Sequence, residues 1–462
     1  MNCPSDAPRI QLFVASTLYG AATLAAALDS ELFPAARRRL LLVCNNAASP
    51  ETTPALDETP GFDRLRGRFD AVLSWNDAIA PMHPGSWEPR AVDVPMWERH
   101  LRMLWDLGDD ELDLVVESIQ VNPSRALARL FPAAPIQVYA DGLMSYGPTR
   151  NKLELLIGTR IDRLLHPDLL PGVRPLLLTE FDVPPCTVPT AAMRKVLADL
   201  ADAAVPAAPD QLAPSEDPPA LVLGQYLSAL DILQPAEEQE LHLRMLRGVA
   251  ELGHRHVVFK PHPTAPVGWS RRLEEEAEAL GVELTVLDVP VLAEVLYERL
   301  RPALVVGAFS TALLTACVFY NLPVARLGTE MLLERLAPYQ NSNRVPVTIV
   351  DAMLPPLDDP GAVRAWRMPT EKENREALTG LLAAVGFSMQ PQLYPRLRPV
   401  AERFLADSFH GETRRYFKRR RLTALALPGA VPQRLAFIPR NRTVRSAARK
   451  VRALQRRLAR TA

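Results

Sequence analysis

Short apolar runs recur along the chain and alternate with stretches of helical period. The runs are IQLFVA (10–15), LLLVC (40–44), LDLVVES (112–118), IQVYA (136–140), ALVLG (220–224), HVVFK (256–260), ELTVL (283–287) and ALVVG (303–307). Apolar residues follow one another in these runs with few polar ones between, so each reads as a strand covered on both faces. Covered strands separated by helices are the pattern of parallel α/β sheets. Pro206, Pro209, Pro214, Pro218 and Pro219 crowd one short stretch and mark a linker. The pattern therefore predicts an α/β domain over 1–205, a linker over 206–219, a second α/β domain over 220–390, a helix over 391–413 and a tail over 414–462.

At 462 residues the chain suits two large domains or three small ones. Apolar residues make up 48% and charged ones 23%, and no apolar stretch approaches the roughly 18 to 20 residues of a spanning helix. The start, MNCPSDAPRIQLFVAS, has neither a basic region nor a long apolar core, which predicts a protein that is not exported. Cys3, Cys44, Cys186 and Cys317 lie far apart without zinc spacing and read as reduced thiols of a cytoplasmic protein.

The formal net charge of zero conceals an asymmetry. Sixteen of the 53 Lys and Arg lie from Arg414 onward, where there is no Asp or Glu, leaving 37 basic residues against 53 acidic ones before it. Within that stretch Val444, Ala448, Val451, Leu454 and Leu458 fall on one face of a helix ringed by arginines. A basic amphipathic helix suits an anionic membrane surface, at the inner face of a membrane for a cytoplasmic protein. A solvated tail and nucleic-acid binding are the other readings of such a stretch; the membrane is favoured and no nucleic-acid partner is expected.

Candidate chemistry sits where strands end, because parallel sheets bind ligands beyond the carboxyl ends of their strands. HVVFK runs into Lys260-Pro261-His262-Pro263, where the prolines stiffen the turn and two basic groups suit a phosphate. A surface turn with an incidental histidine is the plainer alternative. ALVVG ends at Gly307, and Ser310-Thr311 then open an apolar helix. These hydroxyls either cap the helix or join its free N–H groups around an anion. Asp288 follows ELTVL and could accept from ribose hydroxyls or cap the next helix, with Glu294 as a fallback. In the first domain IQVYA runs into Asp141-Gly142, where glycine is expected to allow a sharp turn that leaves the carboxylate at the strand tip. A carboxylate there can act as a general base on an acceptor hydroxyl. Tyr146, Arg150 and Lys152 follow in the expected acceptor-side loop, and Gly20 is a weaker acceptor-side candidate after the first strand.

Two unequal Rossmann-like halves facing a central cleft describe the GT-B architecture. An acidic residue before glycine in the first half, then His-Pro, then a Ser/Thr pair opening a helix, resembles the bacterial sialyltransferases, above all the α-2,8-polysialyltransferase family. The likeness spans about residues 10 to 350. It implies an inverting, single-displacement glycosyl transfer from CMP-sialic acid to a glycan acceptor, with no cofactor or essential metal. By resemblance Asp141 is the general base, and His262 binds the departing phosphate. Ser310 and Thr311 hold the same phosphate, and Lys260 lines the nucleotide pocket. No strict Asp-x-Asp motif occurs in the chain. The family's turn usually carries two acidic residues, whereas this chain has Ala140-Asp141-Gly142. The rival readings are a GT-B enzyme on another nucleotide sugar, such as a UDP-sugar transferase or a 2-epimerase, and a non-catalytic nucleotide- or membrane-binding protein of surface-polymer assembly.

Overall fold

The computed structural model describes residues 9–207, 211, 213, 217–262, 268–287 and 289–430. Seven strands form the first sheet: β1 (Ile10–Ala15), β2 (Arg38–Val43), β3 (Ala71–Ser74), β4 (Leu112–Glu117), β5 (Ile136–Tyr139), β6 (Ile161–Pro167) and β7 (Pro185–Val188). They are all parallel, in the order β3-β2-β1-β4-β5-β6-β7. Five strands form the second: β8 (Ala220–Leu223), β9 (His256–Lys260), β10 (Glu283–Val286), β11 (Leu304–Gly307) and β12 (Val324–Arg326). These are parallel too, in the order β10-β9-β8-β11-β12. In each sheet the first strand of the domain has neighbours reached in opposite directions, so a topological switch point lies between β1 and β4 and another between β8 and β11.

The apolar runs form strands because both of their faces are covered. Ile10, Leu12 and Val14 of β1 enter one core with Leu40 and Leu42 of β2, whereas Phe13, Ala15, Leu41 and Val43 enter the other. This is the period-two division of a pleated strand. The core that takes Phe13 continues into the second domain and includes Leu221, Val305 and Leu313, so apolar packing joins the two halves.

Seven helices position the cleft and its supports: α1 (Leu18–Asp29), α2 (Thr190–Ala204), α3 (Ala293–Leu300), α4 (Thr311–Tyr320), α5 (Glu371–Met389), α6 (Arg398–Ser408) and α7 (Arg419–Ala424). α2 ends the first domain and packs on both α1 and α3, where Arg299 pairs with Asp202 at 2.6 Å. α5 starts on a capping box in which the Thr370 hydroxyl accepts from the Glu373 N–H and Glu373 accepts from the Thr370 N–H. α5 and the chain after it return to the first domain. The Tyr394 hydroxyl accepts from the Thr149 N–H at 2.8 Å and donates to Glu180 at 2.5 Å, and Asn374 donates to the Pro171 carbonyl.

Two details of the expected C-terminal organisation change. The stretch 391–413 is not one helix but α6 flanked by 3₁₀ turns at Pro395–Leu397 and Gly411–Tyr416. The basic stretch is not a free tail from Arg414 onward. Arg415 pairs with the fully buried Asp351 at 2.7 Å, and Tyr416 donates to the same carboxylate at 2.9 Å. Arg421 donates to the Ser388 carbonyl at 2.7 Å, and Leu422 is buried. The amphipathic segment over 444–460 lies outside the described residues. Among the described residues no helix is long and apolar enough to cross a membrane.

Candidate active site in the interdomain cleft

β5 lies between β4 and β6, and its ladder runs on to Ala140, whose N–H donates to the Leu165 carbonyl at 2.9 Å. Asp141 is the first residue beyond the ladder and stands at the strand tip as expected. Gly142 does not serve the turn through a left-handed backbone: its φ is −133°, which any residue adopts. What crowds a side chain there is proximity, since a Cβ would lie 3.1 Å from the Thr311 hydroxyl of the other domain.

Asp141 has an unusual electrostatic setting. Burial raises its pKa most, and the negative charge of Glu117 adds to that; its own backbone N–H opposes the rise and Glu294 contributes further, leaving it at about 7. Glu117, which sequence reasoning missed, is the last residue of β4 and lies opposite Tyr139 in the ladder. Its Oε2 accepts from the Ser16 hydroxyl at 2.6 Å and from the Ser16 N–H at 3.3 Å, just past the end of β1. The signal that could have found it is its position, a carboxylate at the carboxyl end of a predicted strand, where such sheets bind ligands.

The second domain supplies the opposite lip. Lys260 ends β9, and burial lowers its pKa against a weaker opposing pull from Glu294. His262 follows, its pKa lowered by burial first and by Lys260 second, so the ring is neutral near pH 7. Glu294 is buried at 5% exposure and accepts from the Thr315 hydroxyl at 2.6 Å, with burial raising its pKa. Ser310 is the N-cap of α4, its hydroxyl accepting from the Ala312 N–H at 3.2 Å. The Phe309 N–H donates to Gln225 at 2.8 Å, fixing the turn that precedes this helix.

One cavity of about 660 Å³ brings Glu117, Asp141, Lys260, His262, Ser310 and Thr311 together, and Arg150 also lines it. Two candidates stand elsewhere. Gly20 does not line the cavity and lies in the first turn of α1 behind the carboxylate, where a Cβ would sit 3.1 Å from the Tyr139 hydroxyl and 3.5 Å from Asp141 Oδ2. Tyr146 does not face the acceptor side: it is fully buried and its hydroxyl accepts from the Leu170 N–H at 3.1 Å. Asp288 lies outside the described residues.

Two parallel Rossmann-like sheets, with a carboxylate on one lip of their shared cleft and basic groups with a helix start on the other, define a GT-B glycosyltransferase. The model of the alpha-2,8-polysialyltransferase (POLYST) family matches residues 11–329, a span that includes both lips. The chain belongs to that family. No curated protein matches it. Similar solved structures include Glycyrrhiza uralensis UGT73P12 complexed with glycyrrhetinic acid 3-O-monoglucuronide, 11% identical over 97% of this chain and 100% of that one, with a TM-score of 0.41. The UDP-GlcNAc 2-epimerase of Methanocaldococcus jannaschii is 13% identical over 79% and 97% of the two chains, TM-score 0.44. Acinetobacter baumannii MurG is 10% identical over 86% and 95%, TM-score 0.36.

Proposed function

We propose that this glycosyltransferase moves sialic acid, or a related acid sugar, from its CMP ester to a glycan hydroxyl by a single inverting displacement that needs no metal. The observation that carries the reading is the shared cavity, with Asp141 on one wall and Lys260, His262 and the start of α4 on the other. Asp141 takes the proton of the acceptor hydroxyl as the acceptor oxygen bonds to the anomeric carbon. The bond from that carbon to the phosphate oxygen breaks, and its electron pair leaves with CMP. Lys260, His262 and the N–H groups opening α4 offset the charge that builds on the departing phosphate. A neutral histidine near an ammonium is suited to this task, because the incoming phosphate favours its protonation. Family membership supports the donor class. A cytoplasmic site at an anionic membrane surface, reached through the basic residues beyond 430, rests on composition.

The test is a hydrolysis and transfer screen over CMP- and UDP-sugars with wild type, Asp141→Ala and His262→Ala. CMP-sialic acid should be turned over, with loss of at least about 100-fold in each variant. Turnover of a UDP-sugar alone would overturn the donor assignment.

A further inference from the structure

The cavity that holds Asp141 also holds a second carboxylate, from a strand other than the one that carries Asp141. Glu117 and Tyr139 are ladder partners at the ends of β4 and β5, and Asp141 follows two residues after Tyr139. Glu117 and Asp141 line one cavity. Glu117 is fixed there: both the hydroxyl and the N–H of Ser16 donate to its Oε2, and the Ser124 hydroxyl donates to its carbonyl oxygen. The two strands involved with Ser16, β1 and β4, are the pair that flanks the switch point. A carboxylate clamped through one oxygen by Ser16, at the switch point and on the cavity wall, is more than a helix cap or a surface ion pair.

Asp141 is faced from several elements. Glu117 acts on it from β4, Tyr139 from β5, Tyr19 from α1 and Glu294 from α3, and Lys260 and His262 line the same cavity. Of the acidic groups, Glu117 is the strongest influence on it. We propose that Glu117 forms a carboxylate pair with Asp141 and serves as a positioning residue whose fixed negative charge sets how firmly Asp141 holds the proton it takes from the acceptor. The inference rests on Asp141 being the base. In the balanced step the acceptor proton ends on Asp141, the new bond joins the acceptor oxygen to the anomeric carbon, and the electron pair leaves on the phosphate. Glu117 neither gains nor loses an atom.

The experiment titrates Asp141 itself, by carbon NMR of protein carrying [γ-¹³C]aspartate, with the signal assigned through its absence in Asp141→Asn. The wild-type midpoint should lie near 7 and fall by about one pH unit in Glu117→Gln. Glu117→Asp, which keeps the charge, should stay close to wild type. Ser16→Ala, which releases the clamp, should give a smaller shift in the same direction and serves if Glu117→Gln does not fold. The acid limb of the pH profile of kcat/KM should move with the midpoint. A Glu117 that only supports the fold would lower melting temperature or rate and leave the midpoint in place, and that result overturns the inference. An unmoved midpoint together with an inactive Asp141→Asn overturns this inference and leaves the proposed function standing. A fully active Asp141→Asn overturns the base assignment, and Glu117's part with it.

Discussion

The Thr311 hydroxyl of α4 accepts a hydrogen bond from the Leu143 N–H of the first domain at 3.3 Å. It joins the start of α4 to the loop that follows Asp141, and Gly142 is bare beside it. A hydroxyl can accept one bond while donating its own hydrogen elsewhere. Thr311 can therefore hold Leu143 and donate to a phosphate at the start of α4 at the same time.

Removing that donor should weaken nucleotide binding. A hydrogen bond to a charged group contributes about 1.5–3 kcal/mol. Thr311→Val should thus raise the Kd for CMP about tenfold or more, measured by calorimetry, while Thr311→Ser stays near wild type. Equal affinity in all three proteins would remove Thr311 from the phosphate site.

Asp141 should give the reaction its pH dependence. The group must be ionised to accept a proton, and burial with Glu117 raises its pKa to about 7. Transfer should therefore fall as pH drops below about 7 and level off above it. Asp141→Asn should lower kcat by about 10²–10⁴-fold and abolish that acid limb. A rate that stays flat from pH 5 to 8 in the wild type would contradict this assignment.

Much of the architecture was legible in the chain, and the gaps have physical causes. All eight apolar runs became strands within a residue or two, because a strand covered on both faces leaves few polar interruptions. The four strands not foreseen lack that signature. β3 is a partly buried edge strand, and β6 carries Asp162 and Arg163. β7 is an edge strand opening on Pro185, and β12 spans only Val324–Arg326. Asp141, Lys260, His262 and Thr311, chosen because strand ends point to the cleft, line one cavity. Glu117 and Ser16 were not, since nothing in the linear sequence shows that β4 runs beside β1. Tyr146 was misplaced for a related reason: a phenol in a loop looks available until the fold supplies Leu170 to bond it.

Asp351 is the main polar support of the C-terminal domain's last segment. It is fully buried, meets Arg326 at 3.1 Å and Arg415 at 2.7 Å, and accepts from the hydroxyls of Thr329 at 2.5 Å and Tyr416 at 2.9 Å. Removing one member of such a cluster strands the remaining charges in the interior and costs about 3–5 kcal/mol. Asp351→Ala should show a loss of that order in denaturant unfolding, with no change in the pH midpoint of transfer for the protein that remains folded. A loss below about 1 kcal/mol would mean that water or rearranged partners satisfy both arginines.

The same cluster decides how membrane attachment must be tested. A deletion from residue 414 would remove Arg415 and Tyr416 from Asp351 and the buried Leu422 from its core, so lost membrane recovery would be confounded with damage to the fold. A deletion from residue 431 leaves these contacts intact and still removes Arg434, Arg440, Arg442, Arg445, Arg449 and the basic residues after them. Each basic residue near an anionic surface contributes about 1 kcal/mol, and salt screens the attraction. The shorter deletion should keep the wild-type melting temperature and release the protein from anionic vesicles, whereas the longer one should melt lower. Binding to neutral vesicles should be weak in every form. If the shorter deletion binds anionic vesicles as well as the full chain does, the residues beyond 430 do not carry the attachment.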